Sequence, residues 1–239
     1  MRYYPLGRTG LFVSELSYSL ESGQVEEGDF SVALIRYGLA QGMNFIDMVE
    51  TSYYLISEAL QGYPHPTILA GKAAVKTYTE MKLAVEKARQ TLHRDCIEVF
   101  SLAITEDNLA ALQERRGALD YLCDAKAKGL IEAVGLCSNS LSVLREAAEF
   151  AEVDLIIPLI DVAGSQREDS AMAEMLGYVN SAGKGVYLLA LPHEGNSSLQ
   201  TAIDFSRTLP GVASVAIATH SQAQLSQATA YIQEKAKPV

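Results

Sequence analysis

Short apolar runs alternate with amphipathic stretches along almost the whole chain. The runs are "FVSELSY" (12–18), "NFIDM" (44–48), "TILAG" (67–71), "CIEVFSLA" (96–103), "IEAVGL" (131–136), "DLIIPLI" (154–160), "VYLLAL" (186–191) and "SVAIA" (214–218). Their Val, Ile and Leu content suits parallel strands covered on both faces. Between them, helical spacing of apolar residues predicts helices over 30–42, 77–94, 108–129, 140–152, 170–183, 198–209 and 221–235. A shorter one, "ISEALQG" (56–62), fills the remaining gap, and Gly42 is placed to cap the first.

Eight strands and eight helices in strict alternation force parallel strands with right-handed crossovers. A repeat of about 30 residues is the size of one βα unit. Eight such units in 239 residues predict an α/β fold, a closed (β/α)8 TIM barrel, as a single domain over residues 1–239. The start does not follow the repeat. "RYYPLGRTGLFVS" sets two extended pieces around Gly7-Arg8-Thr9-Gly10, which predicts a hairpin plugging the barrel ahead of its first strand.

Charge narrows the function. A formal net charge of −10, spread along the chain, argues against nucleic acid and anionic membrane as partners. A small-molecule ligand and a possible homo-oligomer are the expected partners. The first residues lack the apolar segment of a signal peptide, and no later run reaches membrane length. Cys96, Cys123 and Cys137 are odd in number and widely spaced, as in a cytoplasmic protein with reduced thiols. No metal-ligand spacing is present.

One carboxylate stands out. Asp47 interrupts the apolar run "NFIDMV", where an unpaired charge would be costly. At the mouth end of a barrel strand it can meet water or a partner, and barrel chemistry happens there. "LALPHEG" adds His193 and Glu194 at the end of strand seven, a neighbourhood able to do acid–base work near neutral pH.

The sequence resembles the aldo-keto reductases in "YYPLGRTGLFVSEL", "LIRYGLAQGMNFID", "GALDYLCDAKAKGLIEAVGLCSNS" and "PGVASVAIATHSQAQL". That family reduces carbonyls with NADPH through an Asp–Tyr–Lys–His tetrad. The resemblance implies that Asp47 and Lys72 are two of the four. The tyrosine position falls on Ser52, with Tyr53 and Tyr54 beside it, and the histidine position on Ala103. For the cofactor, it implies that Ser138 and Asn139 fill the family's nicotinamide-binding places. A glutamine and a stacking tyrosine of strand six become Ile157 and Ile160. The basic residues that grip the 2′-phosphate are replaced by "ATHSQAQL", leaving His220 and the helix start at Ser221.

The expectation is an aldo-keto reductase fold that has lost NADPH-dependent carbonyl reduction. Its mouth would serve proton transfer, elimination or cyclisation on a small, mostly apolar molecule, with Asp47, Lys72, His193 and Glu194 as polar groups. The basin holding that molecule would be lined by Tyr18, Met48, Ala103, Ile160 and Leu191. No cofactor is expected in that reading. Two alternatives stand beside it: a non-catalytic binding or scaffold protein (a pseudoenzyme), and a weak NADP-dependent carbonyl oxidoreductase using NADPH with Tyr53 or Tyr54.

Overall fold

The computed structural model describes residues 1–20, 29–161, 169–191, 197–219 and 221–235. Eight parallel strands close a barrel: β3 (Leu16–Leu20), β4 (Phe45–Met48), β5 (Ile68–Ala73), β6 (Ile97–Ile104), β7 (Ile131–Ser138), β8 (Leu155–Asp161), β9 (Gly185–Leu191) and β10 (Val212–Ile217). Closure comes from β10, which pairs with β9 on one side and with β3 on the other. Helices α1 (Asp29–Ala40), α2 (Tyr53–Leu60), α3 (Tyr78–Leu92), α4 (Leu109–Glu114), α5 (Arg116–Ala127), α6 (Leu141–Ala148), α7 (Asp169–Ser181), α8 (Ser197–Thr208) and α9 (Gln222–Lys235) occupy the connections.

Alternation along each strand divides the apolar residues into two layers. Leu16, Ile46, Leu69, Phe100 and Leu136 pack outward against the helices. Phe45, Ala70, Val99, Ala133, Ile157 and Tyr187 fill the lumen. The lumen is therefore a packed core, as in barrels of this kind.

The hairpin is β1 (Tyr3–Pro5) with β2 (Phe12–Ser14), paired antiparallel. Leu6 and Val13 are wholly buried and join the lumen cluster, so the hairpin closes the floor. Its turn depends on Gly7. That residue has φ +60°, and a Cβ there would lie 2.2 Å from the Gly185 nitrogen, so only glycine is accommodated.

Three departures from the sequence reading have a clear physical cause. The run 12–18 divides at Glu15, which leaves the hairpin for the barrel. Its N–H donates to Arg2 O at 2.9 Å, while its own carbonyl accepts from Val215 N at 3.0 Å. The Arg207 guanidinium holds its carboxylate, with Nε–Oε1 at 2.7 Å. The helix expected over 108–129 breaks at Arg115, a buried residue with φ −103° and ψ 11°. Its guanidinium turns back to Ala111 O (3.0 Å) and reaches Glu106, so the side chain fixes a corner that periodicity cannot reveal. The helix expected from residue 56 begins at Tyr53, after a 3-10 turn over Glu50–Ser52. At α1 the expectation holds. Gly42 (φ +90°) follows the helix, and Met43 N donates to Gly38 O while Gly42 N donates to Leu39 O, the double bond of a Schellman cap.

Candidate functional site

Asp47 is the third residue of β4, and none of it is exposed. Register places it beside Ser19 of β3 and Ala70 of β5. Lys72 lies one inward-facing position beyond Ala70, nearer the mouth. Its Nζ donates to Asp47 Oδ1, and its side chain is 9% exposed. Ser19 Oγ donates to the same oxygen at 3.2 Å. The other oxygen, Oδ2, accepts from Tyr187 OH at 3.2 Å. Three donors from three strands thus surround the carboxylate, and they replace the water it has lost.

Tyr187 was not singled out in the sequence. It lies in β9, reaches across the lumen to β4, and is 1% exposed. Its ring meets Phe45 edge-on, with centroids 4.9 Å apart. The available signal was a lone phenol amid the aliphatic run "VYLLAL", at the parity that faces inward.

The two tyrosines after Asp47 separate clearly. Tyr54 is 72% exposed on α2. Tyr53 is buried at the head of the same helix. Burial pushes its phenol above the ordinary tyrosine range, and Glu50 adds to this. Lys72 pulls it down and Asp47 pushes it up, so the phenol sits in the field of both. Ser52, at the family's tyrosine position, is occupied locally: its hydroxyl donates to Val49 O at 2.7 Å and accepts from Val49 N at 3.3 Å. Ala103, at the histidine position, is half-buried beside the lumen cluster and in register with Cys137.

The expected basin is corrected. Tyr18, Met48 and Ile160 belong to the outer layer. Tyr18 OH donates outside the lumen, to Thr219 O at 2.7 Å. Alternation is the reason: Ile157 and Leu159 share the lumen parity, and Ile160 does not. His193, Glu194, His220 and the Leu191 side chain lie outside the described residues.

The positions for a nicotinamide cofactor do not fit it well. Ser138 is buried, and its hydroxyl accepts from Ser140 N at 3.1 Å. Asn139 is exposed, and the lumen-facing neighbour is Cys137. Ile157 supplies no polar group inside β8. At the start of α9, Ser221 N donates to Thr219 Oγ1 (3.1 Å) and Gln224 N to Ser221 Oγ (3.4 Å). A phosphate there would have to displace the helix's own caps, with no Arg or Lys in 218–225 to compensate. Among the described residues no His/Cys/Asp/Glu group could hold a metal ion. None of their helices is long and apolar enough to cross a membrane.

Comparison with known proteins agrees with this architecture. The family model described as "Aldo/keto reductase family" matches residues 19–200. A Pseudomonas aeruginosa protein classed with the aldo-keto reductases superposes with a TM-score of 0.84 at 19% identity, covering 98% of this chain and 96% of its own. The holo form of an aldo-keto reductase from Bacillus halodurans gives 0.75 at 17% identity, covering 100% and 92%. No curated protein sequence matches significantly.

Proposed function

We propose a function from the premise that this chain belongs to the aldo/keto reductase family: it transfers protons on a small, mostly apolar carbonyl compound, without NADPH-dependent reduction. The observation that carries this reading is the Lys72 ammonium at the mouth, held from beneath by a fully buried Asp47. A fixed cation in an apolar setting stabilises an oxyanion such as an enolate. Burial and then Glu50 raise the Tyr53 phenol, so it cannot serve as base. His193 and Glu194, which the sequence puts after β9, are the candidates for taking the carbon-bound proton. Ala103 stands at the family's histidine position and supplies no donor to that oxygen.

The test is deuterium wash-in from D2O at the α-carbon of a panel of small apolar ketones and aldehydes, followed by NMR. Exchange is expected, and Lys72→Met should slow it by about 100- to 1000-fold, as loss of an oxyanion donor does. A panel without exchange would sink the reading. Tyr53 favours a second reading, a weak NADP-dependent carbonyl oxidoreductase, because its phenol lies in the field of Lys72 and Asp47. Cofactor fluorescence separates the two. An affinity near millimolar, about 4 kcal/mol of binding, is expected for so poor a groove. Micromolar binding with carbonyl-dependent NADPH oxidation would establish the reductase instead. Neither exchange nor oxidation would leave the non-catalytic binding protein.

A further inference from the structure

We propose that Tyr187 is a positioning residue, which from the floor of the lumen orients Asp47 and so fixes Lys72 at the mouth. The carboxylate has two oxygens with different tasks. Oδ1 receives Lys72 and Ser19, and Oδ2 receives Tyr187. A carboxylate held on one oxygen alone can rotate about its Cβ–Cγ bond. Held on both, from β5 on one side and β9 on the other, it cannot. The phenol is itself immobilised. It is 1% exposed, and Phe45, two residues before Asp47 on the same inward face, packs against its ring. Tyr187 therefore acts as a strut from strand seven to strand two of the barrel. Among the described residues, titratable groups that act on the pair come from several elements: Tyr187 from β9 below, Tyr53 from α2, and Glu50 acting on Tyr53.

The inference rests on the reading above in taking Asp47–Lys72 as the working group, but its test needs no substrate. An ammonium held by a carboxylate resists acylation, and one whose partner has turned away does not. Acetic anhydride labelling at neutral pH, read by peptide mass spectrometry, gives the rate at Lys72 against the exposed Lys76. Tyr187→Phe keeps the ring against Phe45 and removes only the hydroxyl. The Lys72 rate is expected to rise about tenfold, one pH unit of proton affinity. Tyr18→Phe removes another buried hydroxyl, one that donates to Thr219 O and not to Asp47, and should leave the rate unchanged. An unchanged rate in folded Tyr187→Phe, or an equal rise in Tyr18→Phe, would overturn the proposal, since a general loosening would then explain the effect. If the rate rises as expected but wild type exchanges no α-proton, the strut stands and the proton-transfer function falls.

Discussion

Replacing Lys72 by methionine keeps most of the aliphatic stem and removes the charge. Asp47 would remain wholly buried, with Ser19 and Tyr187 but without its cation. Stranding one partner of a buried pair costs roughly 3 kcal/mol or more. Urea unfolding of Lys72→Met should show a loss of that size. Adding Asp47→Asn should recover part of it, and a double variant as unstable as the sum of the singles would contradict the pairing argument. Gly135 is the other informative residue. Its neighbour Ser101 leans over it from β6, so a Cβ would lie 2.1 Å from Ser101 Oγ and 2.8 Å from Ile157 Cδ1. Gly135→Ala should destabilise by about 1–3 kcal/mol through overpacking, while Ser101→Gly in the same chain should relieve part of the loss in a thermal melt.

Among the elements, α3 has the most complete local code. Thr77 accepts from Glu80 N at 3.2 Å, and Glu80 Oε2 accepts from Thr77 N at 2.9 Å. This is a reciprocal capping box, readable in "TYTE". Thr77→Ala should cost about 1 kcal/mol in chemical denaturation. Glu80 also carries a pH signature. The Thr77 backbone N–H and then its hydroxyl hold the carboxyl below the usual carboxylate range. A depressed folded value means that the contribution is present above the unfolded value and lost as pH falls through the folded one. Thr77→Ala should therefore matter less at acid pH than at neutral pH. Equal destabilisation at both would remove the bond from the Thr77 hydroxyl to Glu80 from the explanation. The α4–α5 break has a different character: the buried Arg115 side chain turns back to Ala111 O of α4 and reaches the exposed Glu106, contacts that apolar spacing does not encode.

For the molecule as a whole, the buried phenols set the alkaline limit. Burial raises Tyr18 above its ordinary value, and burial followed by Glu50 raises Tyr53. A raised folded value contributes stability that is full below the unfolded value and is lost as pH rises through the folded one. Stability should accordingly begin to fall above about pH 10, where an unfolded tyrosine ionises. Tyr18→Phe should flatten that fall in a pH series of thermal melts. An identical slope in wild type and variant would remove Tyr18 from the explanation.

The number of βα units, their order, the hairpin ahead of them and the cap at Gly42 follow from the chain's own pattern, because period, strand length and turn residues are local properties. Asp47 was legible because a charge in an apolar run demands a partner, whereas Lys72 was reached through the resemblance to the aldo-keto reductases. Tyr187 was not legible. It stands 140 residues from Asp47, and only barrel closure brings β9 opposite β4. The choice between Tyr53 and Tyr54 likewise needed the helix start, since one residue of rotation about α2 moves a phenol from the barrel to solvent. The lining of the mouth was misread at Tyr18, Met48 and Ile160 because successive residues of a strand face opposite ways: Met48 follows the inward-facing Asp47, and Ile160 follows the lumen residue Leu159. What only the tertiary structure decided is which strands face each other across the lumen, because closure through β10 pairs strands from opposite ends of the chain.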